Sequence, residues 1–319
     1  TATRSKHGYI LCDVEVIIDG AVVYPQGWVA AVASLQSTKF EETGERIVSI
    51  ECGDAHTVIL TDAGNLYAWG LSDYGQIGAG DTCMAPNPVM IPLFYTGPHR
   101  GFVRHIHVAK IATGKDHTLA LTDNGHVYTW GRNNRGQLGV GHTQSSGSGG
   151  GGSSEGAGSS LSSSPKSPAF ALEPQRVQGI GHVIDAACGA EHCVCIVEPG
   201  VVYSWGEGSV VGHGIFPSRV DVREPKLCLT LAKTIVKQVA CGWRHTLVLT
   251  KQNIFAFGSN RNGELGLHDF HHRFTPTLIR WNDTSMHEWP TAITCGGKHS
   301  LMLSNLGRVW SWGWNKWGQ

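Results

Sequence analysis

A segment of about 55 residues returns five times in this chain, and no other property limits the fold as much. The copies read ECGDAHTVILTDAGNLYAWGLSDYGQIGAG from Glu51, ATGKDHTLALTDNGHVYTWGRNNRGQLGVG from Ala112, ACGAEHCVCIVEPGVVYSWGEGSVVGHG from Ala187, ACGWRHTLVLTKQNIFAFGSNRNGELGL from Ala240 and TCGGKHSLMLSNLGRVWSWGWNKWGQ from Thr294. Their anchor glycines, Gly53, Gly114, Gly189, Gly242 and Gly296, lie 61, 75, 53 and 54 residues apart. The interval of 75 contains a 20-residue insert, Ser145 to Ser164, with ten Ser and seven Gly. Without it that copy also measures about 55 residues. The insert reads as a flexible coil with an end-to-end distance of about 25 Å, placed where a loop can lengthen at small entropic cost.

Each copy has the same grammar. G-x-x-H opens it, and a strand such as Thr118 to Thr122 alternates inward and outward side chains. A turn such as Asp123-Asn124-Gly125 follows, then a second strand, His126 to Trp130, ending in Trp-Gly. A glycine-rich loop carries G-Q-L-G. Two further weak strands are expected in the variable stretch, for example Val103 to Ile111. Four short strands in about 55 residues make one β-propeller blade, so the fold class is all-β. Blades bury their two faces against neighbours. The Trp or Phe before the second glycine (Trp69, Trp130, Trp205, Phe257, Trp312) therefore reads as inter-blade packing. Cys52, Cys188, Cys241 and Cys295, each just ahead of an anchor glycine, read as core filling, and so does Thr113 in their place.

Composition narrows the function class. Lys+Arg and Asp+Glu both number 25, so the net charge is zero, which argues against a polybasic nucleic-acid or membrane-surface binder. No apolar run is long enough to span a bilayer. Nine scattered cysteines do not form a disulfide framework and point to a reducing compartment, cytoplasm or nucleus. The chain starts at Thr1 and stops inside a motif, so it is expected to be part of a longer protein.

The units resemble the RCC1 repeat, the regulator-of-chromosome-condensation family, through G-x-x-H, strand, D-x-G, strand, W-G and N-x-x-G-Q-L-G. The resemblance covers Ile47 to Gln319 in five in-phase copies. It implies an RCC1-type propeller of four-stranded blades, seven in the family, of which five are visible here, so the ring is expected to be incomplete in this chain. Residues 1–46 hold the strand-like YILCDVEVIIDGAVVY without the grammar. Three readings of them stand: a degenerate blade, a blade completed from elsewhere, or an adjoining element. The third unit departs from the pattern, with Gly208-Ser-Val-Val-Gly212-His-Gly214 in place of the usual loop.

The two residues inside each G-x-x-H should form a ring on one propeller face. They are Asp54 and Ala55, Lys115 and Asp116, Ala190 and Glu191, Trp243 and Arg244, Gly297 and Lys298. Candidate partner-binding residues are Asp54, Lys115, Asp116, Glu191, Trp243, Arg244 and Lys298, a mixed-charge set with one large aromatic, against the plainer reading of a solvated rim. The flanking Gly53, Gly114, Gly189, Gly242 and Gly296, with His56, His117, His192, His245 and His299, read as structural frame, the imidazoles bonding neighbouring loops rather than metal. The resemblance implies a protein partner, a small GTPase of the Ran or Rab type, whose nucleotide an exchange factor loosens. Asp116 is then the closest positional match to the family's GTPase-contacting residues, with Glu191 and His117 behind it. A scaffold or autoregulatory propeller without exchange activity is the alternative. A UV-B-sensing dimer is the third reading, because Gly242-Trp243-Arg244-His245-Thr246 is similar to the G-W-R-H-T motif of the plant photoreceptor branch, although the neighbouring units carry no Trp there. No catalytic set, metal site or cofactor is expected. Gly206-Glu-Gly208 lies in phase with the repeat and is read as loop, not a dinucleotide site; the LHDFHHRF imidazoles His268, His271 and His272 are read as a polar loop; and the Asn282 sequon is read as idle. Ser164-Pro165 and Ser167-Pro168 are read as linker.

Overall fold

The computed structural model describes residues 44–96, 103–141, 170–214, 220–280 and 288–318, with four short strand pieces nearer the N-terminus. Five antiparallel sheets follow one another along the chain. Blade 1 comprises Ile47–Cys52, His56–Thr61, Leu66–Gly70 and Ala85–Ile91. Blade 2 comprises Val108–Thr113, His117–Thr122, Val127–Arg132 and Phe170–Arg176. Blade 3 comprises Val183–Cys188, His192–Val197, Val201–Gly206 and Val222–Leu227. Blade 4 comprises Gln238–Cys241, His245–Leu249, Ile254–Gly258 and Arg273–Leu278. Blade 5 has three described strands, Pro290–Cys295, His299–Ser304 and Val309–Gly313, one fewer than the sequence led us to expect. This is the all-β propeller architecture of the repeat reading.

Each blade begins one strand before its G-x-x-H. The stretch expected to give weak strands between copies holds them: Val103–His105, paired with Phe94–Thr96 in a hairpin, and Val108–Thr113, the first strand of blade 2. Two more hairpins pair Thr3–Arg4 with Ile10–Leu11 and Val16–Ile18 with Ala21–Val23. The Ser145–Ser164 insert, the two Ser-Pro pairs and the sequon lie outside the described residues.

Period-two alternation places the core. Along the second strand of blade 2, Ala120 joins an apolar cluster shared with blade 1, whereas Leu119 and Leu121 join one shared with blade 3. In blade 3, Cys193, Cys195 and Val197 face blade 2, and Val194 and Ile196 face blade 4. Trp130, Trp205, Phe257 and the partly buried Trp312 each sit at one of the four seams, as inter-blade packing requires. Cys188, Cys241 and Cys295 pack against the same clusters. Cys52 is a correction: it is exposed, because no described blade precedes blade 1 to cover it.

Polar groups close the seams in a fixed order. His56 Nε2 lies 3.0 Å from Thr118 Oγ1 of the next blade, and Thr118 donates its hydroxyl proton back to the Gln76 carbonyl at 2.8 Å. The oxygen of Thr118 therefore accepts from His56, and the ring proton sits on Nε2. Trp130 Nε1 donates to the same carbonyl at 3.0 Å. The pattern recurs with His117, Cys193, Trp205 and the Gln137 carbonyl. It recurs again with His245, Ser300, Trp312 and the Glu264 carbonyl. At the seam between blades 3 and 4, His192 reaches Thr246 at 2.9 Å. There Phe257, whose ring carries no N–H, faces the diverged loop of the third unit, with Gly212 against its ring. Two departures that lie in separate repeats thus meet at one interface.

The anchor glycine makes room for the imidazole. A Cβ on Gly114 would stand 1.9 Å from His117 Cε1 and 2.6 Å from the Gly189 carbonyl oxygen. The loop glycine after the carbonyl is likewise compelled: Gly139 has φ +67°, and a Cβ there would meet Trp205 Nε1 at 2.7 Å.

Thr118→Val removes both bonds of that hydroxyl while keeping its volume. It should lower the unfolding free energy by about 2 kcal/mol, the usual cost of stranding a buried donor, and Thr118→Ser should cost less. Urea unfolding of the two variants checks this. Burial holds the His56 ring down to about 3 and the His245 ring to about 4. The unfolded rings take up protons below about pH 6.5, and the folded rings do not until these lower values. Their contribution to stability is thus complete above pH 6.5 and is lost as pH falls towards 4 and then 3. Each ring should add roughly 1.4 kcal/mol per pH unit to that loss across the window. Urea midpoints should hold between pH 7.5 and about 6.5 and fall from there to 4.5, and a His245→Gln variant should show a shallower fall.

Candidate rim site

The first strands of the five blades converge about a common axis. Their last residues and the G-x loops that follow line one opening of about 480 Å³. Cys52, Thr113, Cys188, Cys241 and Cys295 form its inner wall, and Asp54, Lys115, Ala190, Trp243 and Gly297 stand at its mouth. The structure therefore brings the loops of all five units together on one face.

Backbone bonds fix the spacing of this mouth. Asp54 N–H donates to the Lys115 carbonyl at 3.1 Å, Lys115 to Ala190 at 3.2 Å, Ala190 to Trp243 at 2.9 Å and Trp243 to Gly297 at 2.9 Å. Within each loop the anchor glycine N–H also donates to its own histidine carbonyl, as Gly114 does to His117 at 2.8 Å. None of these bonds depends on the side chain at the variable position, so the loop stays the same while its side chain changes.

The two variable residues have different surroundings. The first of each pair lines the mouth, where Asp54 and Lys115 are exposed and Trp243 retains 53% of its surface. The second is engaged on the blade bodies. Asp116 accepts from Arg132 at 3.0 Å with its side chain only 13% exposed, and Arg132 also lies 4.5 Å from the Tyr74 ring of blade 1. Glu191 faces Arg135 of blade 2 at 3.6 Å, and Arg135 also faces Asp221. Arg244 pairs with Glu207 of blade 3 and lies 3.2 Å from Ser209 Oγ. Lys298 turns towards the mouth, its Nζ 5.6 Å from the Trp243 ring and 4.9 Å from the Trp314 ring. Gly297 leaves space for this, since a Cβ would lie 3.3 Å from Trp243 Cε2. The expected ring of paired residues is thus corrected: the first of each pair lines the opening, whereas Asp116, Glu191 and Arg244 are held off it by ion pairs. Their partners Arg132, Arg135, Glu207 and Asp221, and Trp314 beside Lys298, come from loops with no fixed offset to G-x-x-H.

Within the opening, burial pushes the Glu51 carboxyl up to about 7 and the Cys295 thiol to about 12. The His268, His271 and His272 group does not converge on a metal geometry: His272 Nδ1 accepts from the Asn260 N–H at 3.0 Å, and His271 lies beside Asp269. Gly208 N–H, in the third unit's loop, is turned to Asp221 at 3.4 Å. A rigid mouth with one acid, one base and a half-exposed indole suits recognition of a macromolecular surface.

Residues 26–319 match the family described as the RCC1-like domain. The chain is 30% identical over 280 residues to the ultraviolet-B receptor UVR8 of Arabidopsis thaliana, covering 86% of this chain and 55% of that protein. It is 32% identical over 292 residues to the Protein RCC2 homolog of Danio rerio, covering 84% of this chain and 52% of that one. It thus spans about half the length of these curated relatives. Among solved structures it resembles Prp20p from Saccharomyces cerevisiae in fold, with a TM-score of 0.65, 21% identity, and coverage of 86% of this chain and 60% of that one.

Asp116→Ala strands the Arg132 guanidinium and should lower the unfolding free energy by up to about 1 kcal/mol. Asp54→Ala, at an exposed position in the mouth, should leave the midpoint unchanged. Parallel urea titrations of the two variants distinguish the two environments.

Proposed function

Because the chain belongs to the RCC1-like domain family, we propose that the mouth of its axial opening is a docking rim for a protein partner, and that this partner is a small GTPase whose nucleotide state the propeller regulates. One observation carries the reading: five loops locked together by backbone hydrogen bonds present Asp54, Lys115 and Trp243 to a single opening. Trp243, backed by Lys298, supplies the apolar anchor. Asp54 and Lys115 orient the partner by charge. Asp116, Glu191 and Arg244 form the surrounding charged belt, already held in place by ion pairs.

Prp20p is described as having binding properties to Gsp1p and histones, which supports a protein ligand for this class of surface. Exchange needs no bond-making groups. A rim that binds the nucleotide-free GTPase more tightly than the loaded form weakens the hold on the nucleotide by that same factor. Unpaired thiols along the described chain fit a reducing compartment, the cytoplasm or the nucleus.

A scaffold without exchange activity is the second reading. It is favoured by the engagement of Asp116 and Glu191 with Arg132 and Arg135, which leaves those carboxylates less available to a partner.

Release of a fluorescent guanine nucleotide, measured across a GTPase panel with the full-length protein, tests the proposal. Acceleration by the wild type, reduced tenfold or more by Trp243→Ala or Lys115→Ala at unchanged melting temperature, is the expected result. Partner binding without acceleration would leave the scaffold reading in place. Binding that both substitutions leave intact would remove the rim from the account.

A further inference from the structure

We propose that His117, Cys188 and Cys193 form a binding site for a single thiophilic cation, zinc, at the seam between blades 2 and 3. His117 Nε2 lies 3.2 Å from Cys193 Sγ, and the sulfurs of Cys188 and Cys193 lie 3.5 Å apart. All three donor atoms fall within 4.8 Å of one another, on buried side chains. Zn–S and Zn–N bonds of about 2.3 and 2.0 Å in a tetrahedron set donor atoms roughly 3.5–3.8 Å apart. The two measured sides, 3.2 and 3.5 Å, are within a few tenths of an ångström of a ligating triangle, and the third side is at most 4.8 Å.

The scaffold around them is rigid. Cys188 and Cys193 face each other across an antiparallel ladder, and His117 is held from the neighbouring blade by its own loop. The combination belongs to this seam alone among the four described. Elsewhere the position of Cys193 carries a hydroxyl, in Thr118, Thr246 and Ser300, and the channel cysteine Cys241 meets Thr246 at 3.7 Å. A hydroxyl suits the seam's hydrogen bonds equally well but is a poor ligand. Among the described blades, blade 3 alone pairs a seam thiol with a channel thiol. Two sulfurs and an imidazole select zinc over magnesium or calcium.

Cys188 also lines the axial opening, which gives an ion its route in and a water its place at the fourth position. Binding converts two thiols to thiolates and releases two protons to solvent. His117, whose ring proton lies on Nε2 while it donates to Cys193, shifts to the Nδ1–H tautomer on binding and so offers its Nε2 lone pair with no further proton released. The ion would tie a rim histidine of blade 2 to the inner strand of blade 3, one residue from Gly189 of the rim.

The test uses the whole chain, kept reduced, stripped with a chelator and then given zinc. Native mass spectrometry should find one zinc per chain. Cobalt in its place should give a thiolate-to-metal charge-transfer band. Cys193→Thr restores the hydroxyl found in the other seams, so it should fold, and it should bind zinc roughly 100-fold more weakly or worse, since outer-sphere changes alone cost about 10–100-fold. Cys188→Ser should lose binding likewise, and Cys195→Ala should retain it. Zinc should raise the urea midpoint of the wild type and not that of Cys193→Thr. A wild type that retains no zinc and shows no cobalt band overturns the proposal whatever the variants do. So does equal retention by Cys193→Thr, or loss confined to Cys195→Ala.

Discussion

A neutral imidazole reaching a short hydroxyl or thiol on the next sheet is the contact on which this molecule depends. The acceptor must be one carbon from the backbone, as in Thr118, Cys193, Thr246 and Ser300, because a longer side chain would overrun the seam. The glycine beside the ring can have no Cβ. At three seams the acceptor passes its own proton to a loop carbonyl that a tryptophan also uses. Histidine, glycine, hydroxyl, tryptophan and glycine-rich loop are thus parts of one joint. Each bond is worth about 1 kcal/mol net, but breaking one strands buried partners at a cost of about 1–3 kcal/mol, and that asymmetry ties the repeat grammar to the interface.

The joint also explains why a recognition surface can sit at the centre of such a body. Its hydrogen bonds and the backbone relay at the mouth use no atom of the variable side chains. Asp54, Lys115 and Trp243 can therefore differ without disturbing one another's placement. The charged belt outside them is less independent, since Arg135 and Arg244 each reach across a seam.

Much of this was legible in the sequence. Alternation in Thr118 to Thr122 gave strands with two buried faces, and five returns of G-x-x-H placed the rim on one side. What could not be read came from contacts without fixed spacing. Strand character over Val103 to Ile111 is expected from the sequence, but with no turn signal to mark a boundary nothing says that Val108–Thr113 is the strand that opens blade 2. Arg132 binding Asp116 while lying beside Tyr74 joins three segments of two blades. The sequence presents Phe257 only as packing and the third unit's loop only as a departure from the pattern, and their apposition shows a matched pair. The meeting of Cys188 with Cys193 follows from ladder register, which the sequence leaves unspecified until the turn is known.

The seams have a direction. At the four described seams the G-x-x-H histidine points to the sheet that follows, and at three of them the tryptophan N–H points to the sheet that precedes. The stack is therefore polar, with unlike ends, in the manner of a heterologous assembly that either closes on itself or continues. At one end, among the described residues, the buried Trp69 Nε1 finds no acceptor. At the other, Val309 and Trp310 of blade 5 are exposed. Any element that completes the stack is thereby specified chemically: before blade 1 it must bring a carbonyl to Trp69 and an imidazole to Thr57, and beyond blade 5 a short hydroxyl or thiol to His299.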